Sequence, residues 1–290
     1  MSIPAQPTAT TICTEAFKLF GKTTPTSAEI TRATDYGIEI VKDDLKRMGL
    51  DWDFLRETTY LPMVVGKSYV QLPTDYAKFL SAKLVDGTSR ATLQTAGASS
   101  ATLASSETSG SSIVGKFLII TSGTGVNQAR QVISYDTSTK VATVDSAWTT
   151  TPVTGDGYLV ADSHREMKYR PIFDYNMITE PGRTGTPAAC SIKSDAAEGD
   201  LYTDKSADKV YVIELEYYKD ILKIDLSSTL YSRMLRMLNG LFIQGVFVWL
   251  LQDDSRAQLE RAIYEKKLIQ TAGLYLYPHN VQNLQLRLDY

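Results

Sequence analysis

Apolar residues recur at intervals of three and four near both ends of the chain, which predicts helices there. In residues 11–56, Gly21 ends a first predicted helix, and a capping box formed by Thr26 and Glu29 begins a second. In residues 228–272 the pattern predicts one or two long helices. Both groups need a partner for their apolar faces, so we expect them to pack on each other as one helical domain.

The last helix of the second group follows Asp253-Asp254 and is predicted to end at Gly273, because glycine commonly lies just past a helix terminus. A periodic face needs a partner, and we expect the face of this helix to pack within the domain. The positions of that face are Leu259, Ala262, Ile263, Lys266 and Ile269.

Alternation with a period of two predicts strands in two further places. Residues 60–72 contain two apolar runs separated by Gly66-Lys67, which is the pattern of a β-hairpin. Residues 210–219 (VYVIELEYYK) alternate apolar with mixed positions, which predicts a half-buried antiparallel strand.

Residues 88–160 differ from their flanks, since serine and threonine occupy 26 of these 73 positions. Thr88–Ser112 has few bulky apolar residues and is predicted to be loop-rich. The remainder has no helical period and predicts short strands at Lys116–Thr121, Gln131–Tyr135, Lys140–Asp145 and Gly157–Ala161. Short strands joined by Gly, Asn and Asp turns are typical of a small sandwich or barrel.

The predicted fold class is therefore α+β. A helical bundle built from both chain ends, with an antiparallel β hairpin or sheet, carries an inserted all-β domain. The predicted parts are an N-terminal core (1–87), the Ser/Thr-rich insertion (88–162), a second core part with strands and the C-terminal helices (163–273), and an extended docking segment (274–290). Such an insertion costs little, because loop-closure entropy grows only logarithmically with loop length.

Composition and charge exclude several classes of protein. The 290 residues are 43% hydrophobic with a net charge of −3, which argues against disorder, a strongly basic nucleic-acid binder and a polybasic membrane protein. Two cysteines, Cys13 and Cys190, exclude a disulfide scaffold and favour a reducing compartment. The longest apolar run, Leu241–Leu251, falls short of the roughly 20 residues of a membrane span, and residues 1–10 show no targeting segment.

The sequence predicts no catalysis, no cofactor and no metal site. Gly110–Lys116 has the spacing of a phosphate-binding loop, but Phe117 stands where a Ser or Thr would hold magnesium, and a strand follows instead of a helix. Asp162-Ser163-His164 contains the residue types of a catalytic triad. We interpret it as a surface turn, because adjacent residues cannot form a nucleophile–base relay by themselves.

Specific binding of nucleic acid is not indicated either. The basic residues of the predicted helices are interpreted as balanced by nearby acids or as lying on the solvent face, namely Lys42, Lys46, Arg47, Arg233 and Arg236. A protein through which DNA merely passes needs no tight hold on phosphates, because strong phosphate contacts retard sliding. The mild net acidity is compatible with such a role.

Residues 274–290 (LYLYPHNVQNLQLRLDY) form an apolar segment in which Leu284, Leu286 and Leu288 alternate with polar residues. We expect an extended conformation that must be covered, because a bare apolar edge strand promotes aggregation. Docking on its own domain and docking on a partner, by strand addition or groove insertion, are both open.

The order of these segments resembles the head-to-tail adaptor proteins of tailed bacteriophages, also called head-completion, tail-accessory or tail tubular proteins. The block Gly115–Tyr158 is similar to a β module that recurs in phage structural proteins. The resemblance covers the whole plan of the chain, although the long Ser/Thr-rich insertion departs from the smallest members of the family. It is carried by TICTEAFKLFG, the helix before Asp51-Trp52, YVQLPTDY (Tyr69–Tyr76), Gly185-Thr186-Pro187, Val210–Lys219 and the closing helices around Asp253-Asp254.

This resemblance implies a structural virion protein without catalysis. Such proteins form a ring, usually of twelve copies, that is seated under the portal, joins it to the tail and continues the DNA channel. The implied partners are further copies of the chain in the ring, the portal protein, and tail nozzle, tube or fibre proteins. Genomic DNA is expected to pass through the channel without specific binding, and no membrane is expected as a partner. The implied location is the head–tail neck of the virion, after synthesis in the host bacterial cytoplasm.

In adaptors of this type the C-terminal segment commonly reaches the portal, and aromatic and aliphatic anchors suit such an interface. Packing of the same residues within the ring is the alternative. The corresponding partner-binding residues of this chain are Tyr275, Tyr277, Leu284, Leu286, Leu288 and Tyr290.

A second hypothesis is a phage adhesin or tail-fibre-associated protein whose β domain binds a host-surface glycan. An adhesin is expected to be monomeric or trimeric and to bind sugar, whereas an adaptor is expected to form a ring with a portal. Under the adaptor hypothesis the inserted domain should point outward, because an insertion of this size would block a channel. It would then decorate the neck or support tail fibres.

Overall fold

The computed structural model describes residues 8–49, 52–107, 110–171, 183–193, 199–223, 229–251 and 255–275. The fold is α+β, with a large curled antiparallel sheet and few helices. A π-helical stretch, Ala33–Ile38, joins α2 to α3, and short 3₁₀ turns lie at Asp53–Leu55, Gly110–Ile113 and Ile221–Lys223. The α-helices are α1 (Ala9–Leu19), α2 (Ser27–Arg32), α3 (Glu39–Met48), α4 (Thr229–Leu250) and α5 (Ala257–Tyr275).

Most strands of the described residues belong to one sheet with the order β1-β15-β3-β9-β6-β7-β8-β5-β4. A smaller sheet has the order β10-β12-β13-β2, and β11 pairs with β14. Strands β1–β9 are Arg56–Pro62, Tyr69–Gln71, Tyr76–Thr92, Thr95–Gly97, Ser100–Thr102, Phe117–Ile120, Ala129–Asp136, Val141–Val144 and Gly157–Glu166. Strands β10–β15 are Lys168–Tyr169, Thr184–Gly185, Ala189–Lys193, Asp200–Thr203, Ser206–Ala207 and Val212–Lys219.

The chain divides into two compact units. The helical unit comprises Met1–Arg56, Asp75–Lys78 and Tyr218–Tyr290, and the β unit comprises Glu57–Thr74 and Phe79–Tyr217. The β unit thus contains strands from both sides of the Ser/Thr-rich segment. The division at 87/88, 162/163 and 273/274 stays a prediction.

Local signals set the ends of the first helices, as predicted. Gly21 adopts a φ of +96°, a conformation in which glycine is favoured, and Lys22 N–H donates to the Phe17 carbonyl at 2.9 Å to close α1. At the start of α2, Thr26 Oγ1 accepts from Glu29 N–H at 3.3 Å, while Thr26 N–H donates to Glu29 Oε2 at 2.9 Å. The capping box is therefore confirmed.

The π-helical stretch is a feature that the sequence pattern did not predict. Gly37 lies within it, and a Cβ added there would be 3.3 Å from Val246 Cγ2 and 3.4 Å from Trp249 Cε3. The stretch packs on α4, which also contacts α1, α3 and α5. Close approach of α4 therefore accompanies the widened helical turn.

The Glu29 carboxylate predicts a specific pH dependence. A hydrogen bond from the Lys22 ammonium, followed by those from Thr26, lowers the pKa of Glu29 from 4.5 to about 2. Ionised Glu29 therefore stabilises the fold above pH 4.5, and this contribution is lost as the pH falls towards 2. Glu29→Gln should lower the unfolding free energy at pH 6 and have a much smaller effect near pH 2, where Glu29 is already partly protonated in the folded state, as measured by urea unfolding.

Lys22→Gln provides the control for that prediction, since it removes the first cause of the shifted pKa. Glu29→Gln should have a much smaller effect in the Lys22→Gln background than in the wild type. Equal effects of Glu29→Gln at pH 6 and pH 2 would contradict the assigned ion pair.

Strands β6 and β9 are buried on both faces, which explains their continuous apolar runs. Leu118 and Ile120 of β6 pack in one cluster with Val132, Trp148 and Tyr158. The intervening Ile119 lies in a second cluster on the opposite face, whose other members are Val85, Leu159, Ala161 and Val212. The curled sheet of the β unit therefore has a core on each side of its central strands.

The predicted hairpin in residues 60–72 is wrong. Its two runs are strands, but β1 lies beside β15 in the large sheet and β2 pairs with β13 in the small one. A turn does form here, since Lys67 N–H donates to the Val64 carbonyl at 3.0 Å. The connecting residues also bond to a distant segment: Gly66 N–H donates to the Ala207 carbonyl at 2.8 Å, and Met63 N–H donates to that of Tyr211 at 2.8 Å. The two strands therefore pair with residues far along the chain and not with each other.

The predicted loop-rich character of Thr88–Ser112 is also wrong in part. Strand β3 continues to Thr92, and β4 and β5 form a short antiparallel pair with Gly97 opposite Ser100. The alternating small and polar side chains suit strands at the edge of the sheet, where β4 is the last member. The half-buried strand predicted at 210–219 is confirmed as β15 (Val212–Lys219), in which Glu214, Glu216 and Lys219 are the less buried members.

Candidate subunit-contact surface

The inner face of α5 is fixed to the helical unit by a buried tyrosine. Tyr264, Leu268 and Ala272 lie one helical turn apart, and all three are buried. Tyr264 Oη donates to Asp44 Oδ2 of α3 at 3.0 Å. Gly245 of α4 lies opposite Tyr264, so the two helices approach closely here.

A buried glutamine adds a second connection between α4 and α5. Gln244 is 7% exposed and uses both ends of its amide. Its Nε2 donates to Glu260 Oε2 at 2.8 Å, and its Oε1 accepts from Lys267 Nζ at 3.1 Å. Because Glu260 and Lys267 are two turns apart, this bridge fixes both the rotation and the height of α5.

Burial dominates the electrostatics of the Tyr264–Asp44 contact. It raises the pKa of Tyr264, and the neighbouring carboxylate raises this pKa further. Burial also raises the pKa of Asp44, against the hydrogen bond from Tyr264, which lowers it. A cleft of about 380 Å³ adjoins the pair, lined in part by Ile40, Trp249 and Arg261. Since Asp44 and Tyr264 bond to each other, we assign the pair to holding α5 in place.

The opposite side of α5 carries a second apolar stripe. Leu259, Ile263 and Leu274 are 66%, 38% and 76% exposed. At about 100° per residue, these three positions and the exposed Lys266 and Gln270 lie within a sector of about 80°. We call these five residues the outer stripe. Helix α5 therefore has apolar residues on two opposite sides, and only the side of Tyr264, Leu268 and Ala272 is buried. The exposed side, the outer stripe, is a candidate contact surface.

The sequence prediction for this helix assigned the wrong face. Leu259, Ile263 and Ile269 were expected to pack within the domain, but they are exposed. Tyr264, Leu268 and Ala272 are buried instead. The helix also continues past Gly273 to Tyr275. The repeat of Tyr264, Leu268 and Ala272 at intervals of four was the signal that could have identified the inner face.

The predicted partner-binding residues fall almost entirely outside the described part of the chain. Tyr275 is the last residue of α5. The other five lie beyond the described residues, namely Tyr277, Leu284, Leu286, Leu288 and Tyr290.

The remaining sequence candidates occupy ordinary structural positions. Gly110–Ile113 is a 3₁₀ turn, and the chain continues through Lys116 into strand β6. The interpretation of Asp162-Ser163-His164 as a turn is wrong, because these residues lie within β9, where His164 Nδ1 is 3.0 Å from Glu214 Oε2. The strand pairing of β9 with β3 takes these residues into the sheet.

The basic residues of α3 each lie near a carboxylate. Lys46 Nζ is 3.0 Å from Asp220 Oδ2, and Arg47 Nη1 is 3.8 Å from Asp44 Oδ1. Lys42 is 2% exposed, and its Nζ is 2.7 Å from Glu39 Oε1. The predicted charge balance is therefore observed for α3, but the Lys42 side chain is buried rather than solvated. The side chains of Arg233 and Arg236 lie outside the described part of the chain.

Among the described residues, no three His, Cys, Asp or Glu side chains are arranged to hold a metal ion. Cys13 and Cys190 are buried free thiols, and burial raises the pKa of Cys190 to about 12. None of the helices in the described ranges combines the length and the apolar content needed to cross a bilayer. No protein-family model matches the chain, and no curated protein matches it.

Proposed function

We propose that this chain is a structural virion protein of the head-to-tail adaptor type, which forms a ring, connects the portal to the tail and continues the DNA channel without catalysis. The observation that supports the proposal is the outer stripe of α5. Exposed apolar residues on the far side of a firmly held helix are typical of a surface that a neighbouring subunit covers. In this proposal the helices of both chain ends form the bundle that packs side by side, and the Ser/Thr-rich β domain points outward.

Ring assembly with the portal tests this proposal. The purified full chain, mixed with the portal protein of the same virion, should give rings at portal stoichiometry in negative-stain electron microscopy. Replacing Leu259, Ile263 and Leu274 together with Gln should reduce the number of rings at least about tenfold, because three apolar contacts are lost at each interface.

A matched control replaces three exposed apolar residues of the β unit, Val126, Ile133 and Val153, with Gln. This variant should assemble like the wild type. Absence of rings with the wild-type chain, or binding of a host-surface glycan by a monomer or trimer, would overturn the adaptor proposal. Normal assembly of the α5 variant would show that the outer stripe is not part of the interface between subunits.

A further inference from the structure

A second exposed apolar patch of the helical unit lies on α3 and the π-helical stretch before it. Tyr36 and Ile40 are 59% and 42% exposed, and they are four positions apart, so their side chains lie on one side of the chain. Ile40 also lines the cleft, beside Trp249 and Arg261. The exposed Asp43 follows one turn later. We call Tyr36, Ile40 and Asp43 the acidic face.

The outer stripe and the acidic face carry opposite charges that have no partner within the chain. Lys266 is the charged residue of the outer stripe, and neither Lys266 nor Asp43 forms an ion pair with another described residue. Asp43 instead adjoins a second carboxylate. Burial raises the pKa of Asp44, and repulsion by the Asp43 carboxylate raises this pKa further. A cation next to Asp43 would relieve the repulsion, and Lys266 of a second copy can supply it.

The two surfaces lie on opposite sides of α5. At about 100° per residue, Arg261, which lines the cleft together with Ile40, is turned by about 180° from the centre of the outer stripe. One copy can therefore offer the outer stripe to one neighbour and the acidic face to another. Head-to-tail contacts between two different surfaces close into rings or extend as filaments, whereas contact of a surface with its own copy gives a dimer.

The order of residue types also agrees between the two surfaces. On each of them, two apolar positions and one charged position follow at intervals of four and three residues. The positions are Tyr36, Ile40 and Asp43 on the acidic face and Leu259, Ile263 and Lys266 on the outer stripe. Two helices packed side by side in the same direction would therefore place apolar against apolar residues and acid against base. Leu274, eight residues beyond Lys266, lies outside this contact.

We propose that the outer stripe of one copy binds the acidic face of the next copy. The contacts are those of Leu259 and Ile263 with Tyr36 and Ile40, and of Lys266 with Asp43. The inference rests on the proposed function, which it deepens by naming the surface of the neighbouring subunit that covers the outer stripe. Each copy then uses both surfaces, one towards each neighbour in the ring.

Exchange of the two charges tests this contact in full-length chains mixed with the portal protein. Asp43→Lys and Lys266→Glu should each reduce the number of rings at least about tenfold, because like charges then meet at every interface. An equimolar mixture of the two variants should restore the rings, because alternating chains place opposite charges at every interface. A chain that carries both substitutions should assemble like the wild type.

A disulfide between copies tests the same contact in the absence of the portal. Ile40→Cys in one chain and Ile263→Cys in another should give cross-linked dimers when their concentrated mixture is oxidised, since the native thiols are buried. Ile269→Cys is the matched control for the second chain. Ile269 is 40% exposed, against 38% for Ile263, but it is turned by about 100° from the centre of the outer stripe. The control should cross-link to Ile40→Cys at least about tenfold less.

The outcomes separate this contact from the adaptor function. Wild-type rings together with unaffected assembly of both charge variants would overturn the contact and leave the adaptor function in place. Failure of the mixture to restore the rings, or equal cross-linking of Ile263→Cys and Ile269→Cys, would also overturn the contact. A selective cross-link from Ile263→Cys without any rings on the portal would support the contact and overturn the adaptor function alone.

Discussion

Replacing Gly245 with alanine should destabilise the helical unit by about 2 kcal/mol or more, although alanine is the better helix former by about 1 kcal/mol. A Cβ at this position would be 2.2 Å from Val41 Cγ2 and 3.0 Å from Tyr264 Cε2. Val41 is fully buried and branched at Cβ, so its methyl group cannot rotate away. Relief of the clash requires α4 to move away from α3 and α5, which weakens the packing around Tyr264.

Gly240→Ala is the matched control in the same helix. Gly240 is exposed, and no heavy atom lies within 4 Å of an added Cβ. This variant should stabilise the helical unit by up to about 1 kcal/mol. Amide hydrogen exchange in α3 and α4 measures both effects, because it reports on each cooperative unit separately. A stabilising effect of Gly245→Ala would show that the helices are farther apart in solution than the structure places them.

The parts of the fold that the sequence predicted correctly depend on local interactions. Thr26 and Glu29 satisfy backbone groups only three residues away, and Gly21 supplies the left-handed conformation that ends α1. Such signals act before any tertiary contact forms, so they can be recognised in the sequence. The alternation in β15 was equally informative, because one face is more buried than the other.

The errors arise where distant residues decide the structure. The runs of the expected hairpin pair with β15 and β13, which lie more than a hundred residues away along the chain. The chain does turn at Val64–Lys67, but such a turn can join two paired strands or connect two different sheets, and the local sequence does not distinguish these arrangements. The π-helical stretch around Gly37 packs on Val246 and Trp249, and these residues also lie more than a hundred positions away along the chain.

The candidate surface was missed for a related reason. An apolar periodic face normally identifies the buried side of a helix, but α5 has apolar residues on two opposite sides. The sequence analysis took Leu259 and Ile263 as the buried side, whereas Tyr264 and Leu268 hold this position. Both sides carry apolar residues at helical spacing, and the hydrogen bond from Tyr264 to Asp44, a residue more than two hundred positions away, accompanies burial of the Tyr264 side.

Gly87→Ala should have the largest effect on the β unit, with a loss of about 3 kcal/mol or more. Gly87 pairs with Ala161 of β9, and the register shifts on both sides of it. A Cβ there would be 2.0 Å from the Val160 carbonyl oxygen and 2.9 Å from Leu159 Cδ2. The φ of Gly87 is not in the left-handed region, so the requirement for glycine is one of space.

The backbone oxygen at this site makes the clash costly, because a carbonyl in a strand cannot move without breaking the pairing of β3 with β9. Gly97→Ala in β4 is the matched control: its added Cβ meets only the Ser100 hydroxyl oxygen, at 2.8 Å, and that side chain can rotate. The control should change the unfolding free energy by less than about 1 kcal/mol. Hydrogen exchange in β6 and β9 measures both variants, and wild-type protection in Gly87→Ala would show that this irregular pairing is absent in solution.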